Sequence, residues 1–162
     1  MIIVALDSGV EKTGYSVFDK KSNGSSNFKY ITSGLIQTSK SKTTEQRLFE
    51  IYIKLGKLIQ EFKPEIIVVE QLFFFKNQKT AIKVSQSQGV ALLVAGQKKI
   101  PVEFLTPLQI KHIITGYGRA DKKSVQKMLG LLLKLDKELK QDDQADAIAC
   151  GLAYCYINRS LT

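Results

Sequence analysis

The chain has 162 residues, of which 44% are hydrophobic and 24% are charged, a composition typical of one soluble globular domain with a sizeable core. Its 24 Lys and Arg residues outnumber its 15 Asp and Glu residues, so the net charge of +9 favours a polyanionic partner such as nucleic acid, although a merely solubilising charge is an alternative. Two cysteines five residues apart exclude a disulfide framework, and no apolar run approaches the roughly 18 residues of a membrane span. Because the first residues also lack the pattern of a signal peptide, we expect a cytoplasmic protein.

The first half of the chain predicts three strands, a helix and a fourth strand. These elements are expected at residues 2–7, 13–19, 28–38, 43–62 and 65–70. The polar run KKSNGSSN predicts a hairpin loop, so the first three strands should form an antiparallel meander. Thr43 followed by Gln46 fits a capping box at the start of the helix, and Pro64 prevents its continuation.

The second half predicts mainly helices. They are expected over residues 78–98, 108–114, 125–135 and 143–157, with one short strand near 102–107. Within the first of these helices, the run GVALLVAG is apolar on all sides, so either the rest of the fold or a partner subunit must cover it. This order predicts an α/β fold, a five-stranded mixed sheet with helices on both faces. Residues 1–158 are expected to form a single domain, followed by a short tail at 159–162.

Two predicted strands, IIVAL and IIVV, are continuous apolar runs of the kind found in central strands that are covered on both faces. Each ends in an acid, Asp7 in one and Glu70 in the other. If these strands are parallel neighbours, both carboxylates meet at one edge of the sheet, where open α/β sheets bind their ligands.

The last predicted helix begins with three aspartates. Asp143 and Asp146 are three residues apart and therefore share a helix face, which continues with small residues suited to close packing on a sheet. Asp142 is interpreted as an ordinary helix-terminus acid. Inward carboxylates on Asp7, Glu70, Asp143 and Asp146 would repel one another unless a cation joined them. An all-oxygen set favours Mg²⁺, with Mn²⁺ as a substitute, and two such ions suit the hydrolysis of a phosphodiester.

Cations and aromatic residues flank these acids. In the stretch FFFKN, Phe73 is the candidate for stacking on or wedging between bases, and Lys76 is a candidate phosphate contact. Arg119 and Lys122 lie in or beside a glycine-containing loop ahead of a helix, which favours phosphate contact over a purely solvated charge.

Four segments, taken in chain order, resemble the RuvC family of Holliday junction resolvases within the ribonuclease H-like superfamily. They are VALDSGVEKTGYSV, VVEQLFFFKN, the long run from GQKKIPVEF through TGYGRADKKSVQKM, and DDQADAIA. The resemblance runs nearly from end to end and implies a ribonuclease H-like fold. It also implies cleavage of four-way DNA junctions by paired, symmetric hydrolysis that leaves 5′-phosphates.

The resemblance implies roles for individual residues. The four metal-binding acids of the family match Asp7, Glu70, Asp143 and Asp146, the motif lysines match Lys111 and Lys122, and the junction-inserting aromatic matches Phe73. The family acts as a homodimer with its second helix in the interface, which implies dimerisation through about residues 78–98. A branch-migration helicase is a further candidate partner that the sequence does not specify. Two departures concern Ser8, where the family usually has proline, and Gln88, where it has a basic residue.

Other functions remain open on the sequence. A nuclease of the same superfamily that cleaves RNA–DNA hybrids would share the acids, and a non-catalytic junction-binding protein would be expected to lose them. The segment DSGVEKTG also resembles the first phosphate loop of actin-like and sugar-kinase ATPases, but those proteins need a second domain and a second glycine-rich loop that 162 residues do not hold.

Overall fold

A computed structural model describes residues 1–21, 27–72, 78–135, 139 and 141–157, with only the backbone described for residues 78–80. Five strands and five helices follow one another in this part of the chain. They are β1 (Ile2–Asp7), β2 (Lys12–Lys20), β3 (Phe28–Gln37), α1 (Thr44–Phe62), β4 (Ile66–Glu70), α2 (Gln78–Lys98), β5 (Val102–Leu105), α3 (Pro107–Thr115), α4 (Lys122–Leu133) and α5 (Asp142–Tyr156). None of these helices is both long enough and apolar enough to span a membrane.

The strands form one mixed sheet in the order β3-β2-β1-β4-β5. The strands β1, β2 and β3 pair antiparallel as a meander, whereas β1 pairs with β4, and β4 with β5, in parallel. The predicted five-stranded mixed sheet is therefore confirmed, as is the parallel pairing of the two apolar strands that end in acids.

Alternation along β1 explains how both faces of the sheet are covered. Ile3 and Ala5 pack into a core formed with α3, α4 and α5. Val4 and Leu6 pack into a second core formed with α1 and α2. All four side chains are fully buried, which is why these strands contain no polar alternation. The prediction of helices on both faces is confirmed.

The helix boundaries follow from local chemistry. Before α1, the backbone N–H of Thr43 donates to the Gln46 side chain at 3.2 Å, as the capping box requires. Before α3, Thr106 accepts a hydrogen bond from the backbone N–H of Gln109, and Pro107 occupies the first helical position. At the other end of α3, Gly116 ends the helix with a φ of 77°, which glycine adopts without steric cost.

Helix α5 lies unusually close to β2. The hydroxyl of Ser16 donates to the carbonyl oxygen of Ala147 at 2.7 Å, and both residues are fully buried. A Cβ on Gly151 would lie 2.7 Å from the Ser16 hydroxyl and from the Phe18 ring, so glycine is required for this approach. The small residues of the α5 face thus serve the close packing that the sequence predicted.

Candidate active site

The carboxylates of Asp7 and Glu70 end adjacent parallel strands. Leu6 pairs with Val69 in the register, so the next residues, Asp7 and Glu70, end their strands at the same edge of the sheet. Both acids are only partly exposed, because the strands on which they lie are buried on both faces. The edge that the sequence predicted for these two acids is the edge where the structure places them.

The first turn of α5 brings Asp143 and Asp146 to the same edge. Gly14 of β2 pairs with Asp7, and a Cβ on Gly14 would overlap the carbonyl oxygen of Asp143. The backbone of α5 therefore begins directly against the end of the β1–β2 hairpin. Both aspartates are partly buried in this position.

Burial and mutual repulsion raise the pKa values of Asp7, Glu70 and Asp146. Burial, followed by the charges of Glu70, Asp146 and Asp143, raises the pKa of Asp7 from its ordinary 3.8 to about 8. Burial and then the charge of Asp146 raise the pKa of Glu70 from 4.5 to about 7, although Lys111 and Lys122 oppose the shift. The pKa of Asp146 is also raised, chiefly by burial. A cation at this edge of the sheet would therefore favour the ionised forms of Asp7, Glu70 and Asp146.

Lys122 supplies part of that positive charge. Its ammonium nitrogen, at the start of α4, lies 3.5 Å from Asp146 Oδ2 and 3.4 Å from Asp142 Oδ2. Burial works to lower the pKa of Lys122, but the charges of Asp146 and Asp142 outweigh it and raise the pKa. The exposed Asp142 also accepts a hydrogen bond from Gln126 Nε2 at 3.2 Å. Asp142 therefore links α5 to α4, in addition to its predicted role as a helix-terminus acid. Lys122 therefore contacts the acids directly in this structure.

The arrangement is not a closed metal site. Within the part of the chain that the structure describes, no three His, Cys, Asp or Glu side chains are grouped closely enough to hold one ion. The structure brings the four predicted acids to one edge, but their role as metal ligands stays a prediction.

Two cavities open on either side of the acids. One, of about 160 Å³, lies on the α3 and α4 side. It is lined by Glu70, Asp146, Lys111, Lys122, Pro107, Ile110, Val125 and Ala149. Both motif lysines predicted from the resemblance thus face the same cavity as two of the acids.

The second cavity, of about 490 Å³, lies on the side of the β1–β2 turn. It contains Asp7 and Asp143 together with Ser8, Lys12, Arg47 and Lys83, and is completed by Gly9, Val10, Glu11 and Val84. No sequence motif marked Lys12, Arg47 or Lys83 as site residues. Arg47 lies in the first turns of α1, where an exposed cation is ordinary.

The other predicted DNA contacts are Arg119, Phe73 and Lys76. Arg119 is exposed in the loop between α3 and α4 and lines neither of the two cavities. Phe73 and Lys76 lie outside the described residues. Their predicted roles therefore stay predictions.

Comparison with known proteins identifies the family. The sequence pattern of crossover junction endodeoxyribonuclease RuvC matches residues 3–155. The chain belongs to the RuvC family. It is 45% identical over 158 residues to the RuvC of Petrotoga mobilis, which covers 98% of this chain and 94% of that protein. With the RuvC of Alkaliphilus metalliredigens it shares 42% identity over 156 residues, covering 96% and 93% of the two chains.

Solved structures agree. The fold matches T. thermophilus RuvC in complex with Holliday junction substrate at a TM-score of 0.88 and 27% identity, covering 96% of this chain and 93% of that chain. The yeast mitochondrial Holliday junction resolvase Ydc2 matches at a TM-score of 0.66 and 13% identity, which supports the fold alone. These matches confirm the resemblance read from the sequence and the ribonuclease H-like fold.

Gln88, one of the two departures from the usual RuvC pattern, has a structural role. Its side-chain amide on α2 donates to the backbone carbonyl of Glu70 at 2.8 Å. The residue therefore links α2 to the end of β4, at a position where the resemblance implies a basic residue. Ser8, the other departure, is 6% exposed and follows Asp7 directly.

Proposed function

We propose that this chain is a crossover junction endodeoxyribonuclease that resolves four-way DNA junctions by metal-dependent hydrolysis, leaving 5′-phosphate ends. The observation that carries the proposal is the meeting of Asp7, Glu70, Asp143 and Asp146 at one sheet edge in a chain of the RuvC family. The net charge of +9 suits a DNA substrate. Residues 1–158 would act as one nuclease domain.

The residues present fit divalent metal ions by their donor chemistry. The four acids offer only carboxylate oxygens, which suit Mg²⁺ or Mn²⁺. Asp7 and Glu70, with pKa values of about 8 and 7, gain most from a neighbouring cation. The four side chains would hold one or two ions. Ions bound there would stabilise the negative charge that develops on the phosphodiester oxygens.

The lysines and Asp146 would prepare the phosphodiester for attack. Lys111 and Lys122 line the smaller cavity beside Glu70, so a phosphate group in that cavity would meet two ammonium groups. Lys122 would exchange its contact with Asp146 for one with the phosphate. Asp146 would then act as a further ligand or as the base that accepts a proton from the attacking water.

A homodimer would account for paired, symmetric cleavage. Helix α2 buries Ala91, Val94 and Ala95 against the sheet, but leaves Leu92 44% exposed and Leu93 56% exposed. The core thus covers one side of the apolar run, which was predicted to be covered on more than one side. We propose that a second copy of the chain covers the other side.

The remaining DNA contacts are proposed on the resemblance and on charge. Phe73 would insert at the crossover of the junction, and Lys76 and Arg119 would contact phosphates on either side of it. Arg119 is free to do so because its side chain is exposed in the α3–α4 loop.

Cleavage of a synthetic four-way junction tests this function. The wild-type chain should make two symmetric nicks in Mg²⁺ and none in EDTA, and Asp7→Asn should bind the junction in metal-free buffer without nicking it in Mg²⁺. A linear RNA–DNA hybrid serves as the competing substrate. Preferential cleavage of the hybrid, or retained nicking by Asp7→Asn, would contradict the proposal.

A further inference from the structure

The larger cavity beside the acids contains polar groups that no protein atom satisfies. Among the described residues, only two buried side-chain atoms lack a hydrogen-bond partner, and they are the hydroxyl of Ser8 and Nη2 of Arg47. Both residues line this cavity, Ser8 is only 6% exposed, and its hydroxyl oxygen is buried. A buried donor left without an acceptor costs roughly 1 to 3 kcal/mol, so such groups mark places where a ligand completes the hydrogen bonding.

Arg47 is held in position by hydrogen bonds that leave its Nη2 without a partner. Its Nε donates to the Thr38 hydroxyl at 2.9 Å, and that hydroxyl in turn donates to the carbonyl oxygen of Val10 at 2.6 Å. The backbone N–H of Thr38 donates to the carbonyl oxygen of Glu11 at 3.1 Å. The side chain of Arg47 is therefore tied to the β1–β2 turn before any ligand binds, which lowers the entropy lost on binding.

The turn itself is equally constrained. The hydroxyl of Thr13 donates to the carbonyl oxygen of Gly9 at 2.7 Å, and the buried hydroxyl of Ser87 on α2 lies 3.3 Å from that of Thr13 and from the same carbonyl oxygen. A Cβ on Gly9 would lie 2.4 Å from the carbonyl oxygen of Lys12, so the tight turn requires glycine. Ser8 thus lies on a constrained turn and lines the same cavity as Arg47.

The cavity is lined by three cations and three acids. The cations are Lys12, Arg47 and Lys83. Of the acids, Glu11 already pairs with Lys40 at 3.0 Å, and Asp7 and Asp143 belong to the predicted metal site, so bound metal ions would leave the cations in excess. A guanidinium nitrogen without a partner, with a hydroxyl lining the same cavity, suits a phosphate oxygen.

We propose that this cavity is a second phosphate subsite, in which Arg47 and Ser8 bind a backbone phosphate of the DNA strand next to the one that is cleaved. Lys12 and Lys83 add charge at its rim. The inference rests on the proposed function, since the shared residues Asp7 and Asp143 place this phosphate on the strand that crosses the acids. Ser8 would contribute a donor that the usual family proline lacks.

Binding of a synthetic four-way junction in EDTA at pH 7, measured by fluorescence anisotropy over a range of salt concentrations, tests the subsite. Arg47→Gln should weaken binding roughly tenfold to a hundredfold, the range for a lost hydrogen-bonded charge contact. It should also lower the slope of log affinity against log salt by about 0.9, the value for one phosphate. The matched control is Lys57→Gln, which removes one exposed charge from the same helix and should change affinity by less than about twofold.

Junctions that carry a single neutral methylphosphonate locate the contact. At one position near the crossover, the substitution should weaken binding by the wild-type chain and have no further effect on Arg47→Gln. Ser8→Ala, a smaller change that preserves the turn, should lose part of the same sensitivity at the same position. If Arg47→Gln lowers the thermal unfolding temperature, Ser8→Ala is the variant that tests the phosphate subsite.

The outcomes separate the subsite from the function. If the wild-type chain neither binds nor cleaves the junction, the proposed function fails and the subsite fails with it. If the wild-type chain binds and cleaves, but Arg47→Gln and Ser8→Ala keep its salt slope and its methylphosphonate profile, only the subsite is wrong.

Discussion

Replacing Asp7 with asparagine is expected to stabilise the metal-free protein at alkaline pH. The pKa of Asp7 is about 8 in the folded chain and its ordinary value is 3.8, so between these values the folded protein holds a proton that the unfolded chain has released. The free energy of unfolding therefore falls as the pH rises from about 4 to about 8. Asparagine keeps the shape of the side chain but has no charge to lose, so it removes this fall.

The size of the effect follows from the pKa shift. Each pKa unit corresponds to about 1.4 kcal/mol, so a rise from 3.8 to about 8 sets an upper bound on the order of 5 kcal/mol for ionising Asp7 in the folded chain. Relaxation of the site and partial protonation of Glu70 will reduce it, because the two groups titrate together. We expect a gain of at least about 2 kcal/mol at pH 8.5 and of less than about 1 kcal/mol at pH 4.

Urea denaturation in EDTA at several pH values between 4 and 9 measures this difference. Glu61→Gln, which alters an exposed acid on α1, is the control and should leave the pH dependence of the wild-type chain unchanged. If the stability curves of Asp7→Asn and the wild-type chain run parallel across this range, the buried charge does not oppose folding and the reasoning is refuted.

Three further results are expected. Gly14→Ala should lower the free energy of unfolding by several kcal/mol and abolish nicking, because its Cβ would overlap the Asp143 carbonyl oxygen; an unchanged denaturation midpoint would contradict this packing. Leu93→Glu should convert a dimer into a monomer in light scattering, since the side chain is 56% exposed on α2, whereas the control Lys57→Glu should remain dimeric. Adding Mg²⁺ at pH 7 should release about one proton per chain, because Asp7 and Glu70 must ionise to bind the ion. Calorimetry in two buffers of different ionisation enthalpy measures this proton release, and equal binding enthalpies in both buffers would contradict it.

The parts of the fold that follow local rules could be predicted from the sequence. The apolar runs of β1 and β4 indicated central strands, and their terminal acids therefore had to share an edge once the strands paired in parallel. The capping box at Thr43 and the glycine and proline positions around α3 similarly marked helix ends. The helix ends depend on neighbours within a few residues, and the shared edge of the two acids depends only on the pairing of β1 with β4.

The second cavity could not be predicted because it depends on contacts between distant segments. Arg47 is linked to the β1–β2 turn by a hydrogen bond to Thr38, which follows β3 and donates to the carbonyl oxygen of Val10. The contact of Gln88 with the Glu70 carbonyl similarly depends on how α2 lies across the end of β4. The position of Lys122 was also beyond the sequence, which predicted a phosphate contact and not its approach to Asp146.

The four acids are separated along the chain by up to 139 positions, from residue 7 to residue 146, and this spread bears on how the protein folds. The site is assembled only when α5 docks against β2, one of the last segments of the chain against one of the first. Contacts of such sequence separation form late and slow the folding of a domain. A chain emerging from the ribosome would thus lack Asp143 and Asp146 until long after Asp7 and Glu70 had been made, and a nuclease of this fold synthesised only that far would leave DNA intact.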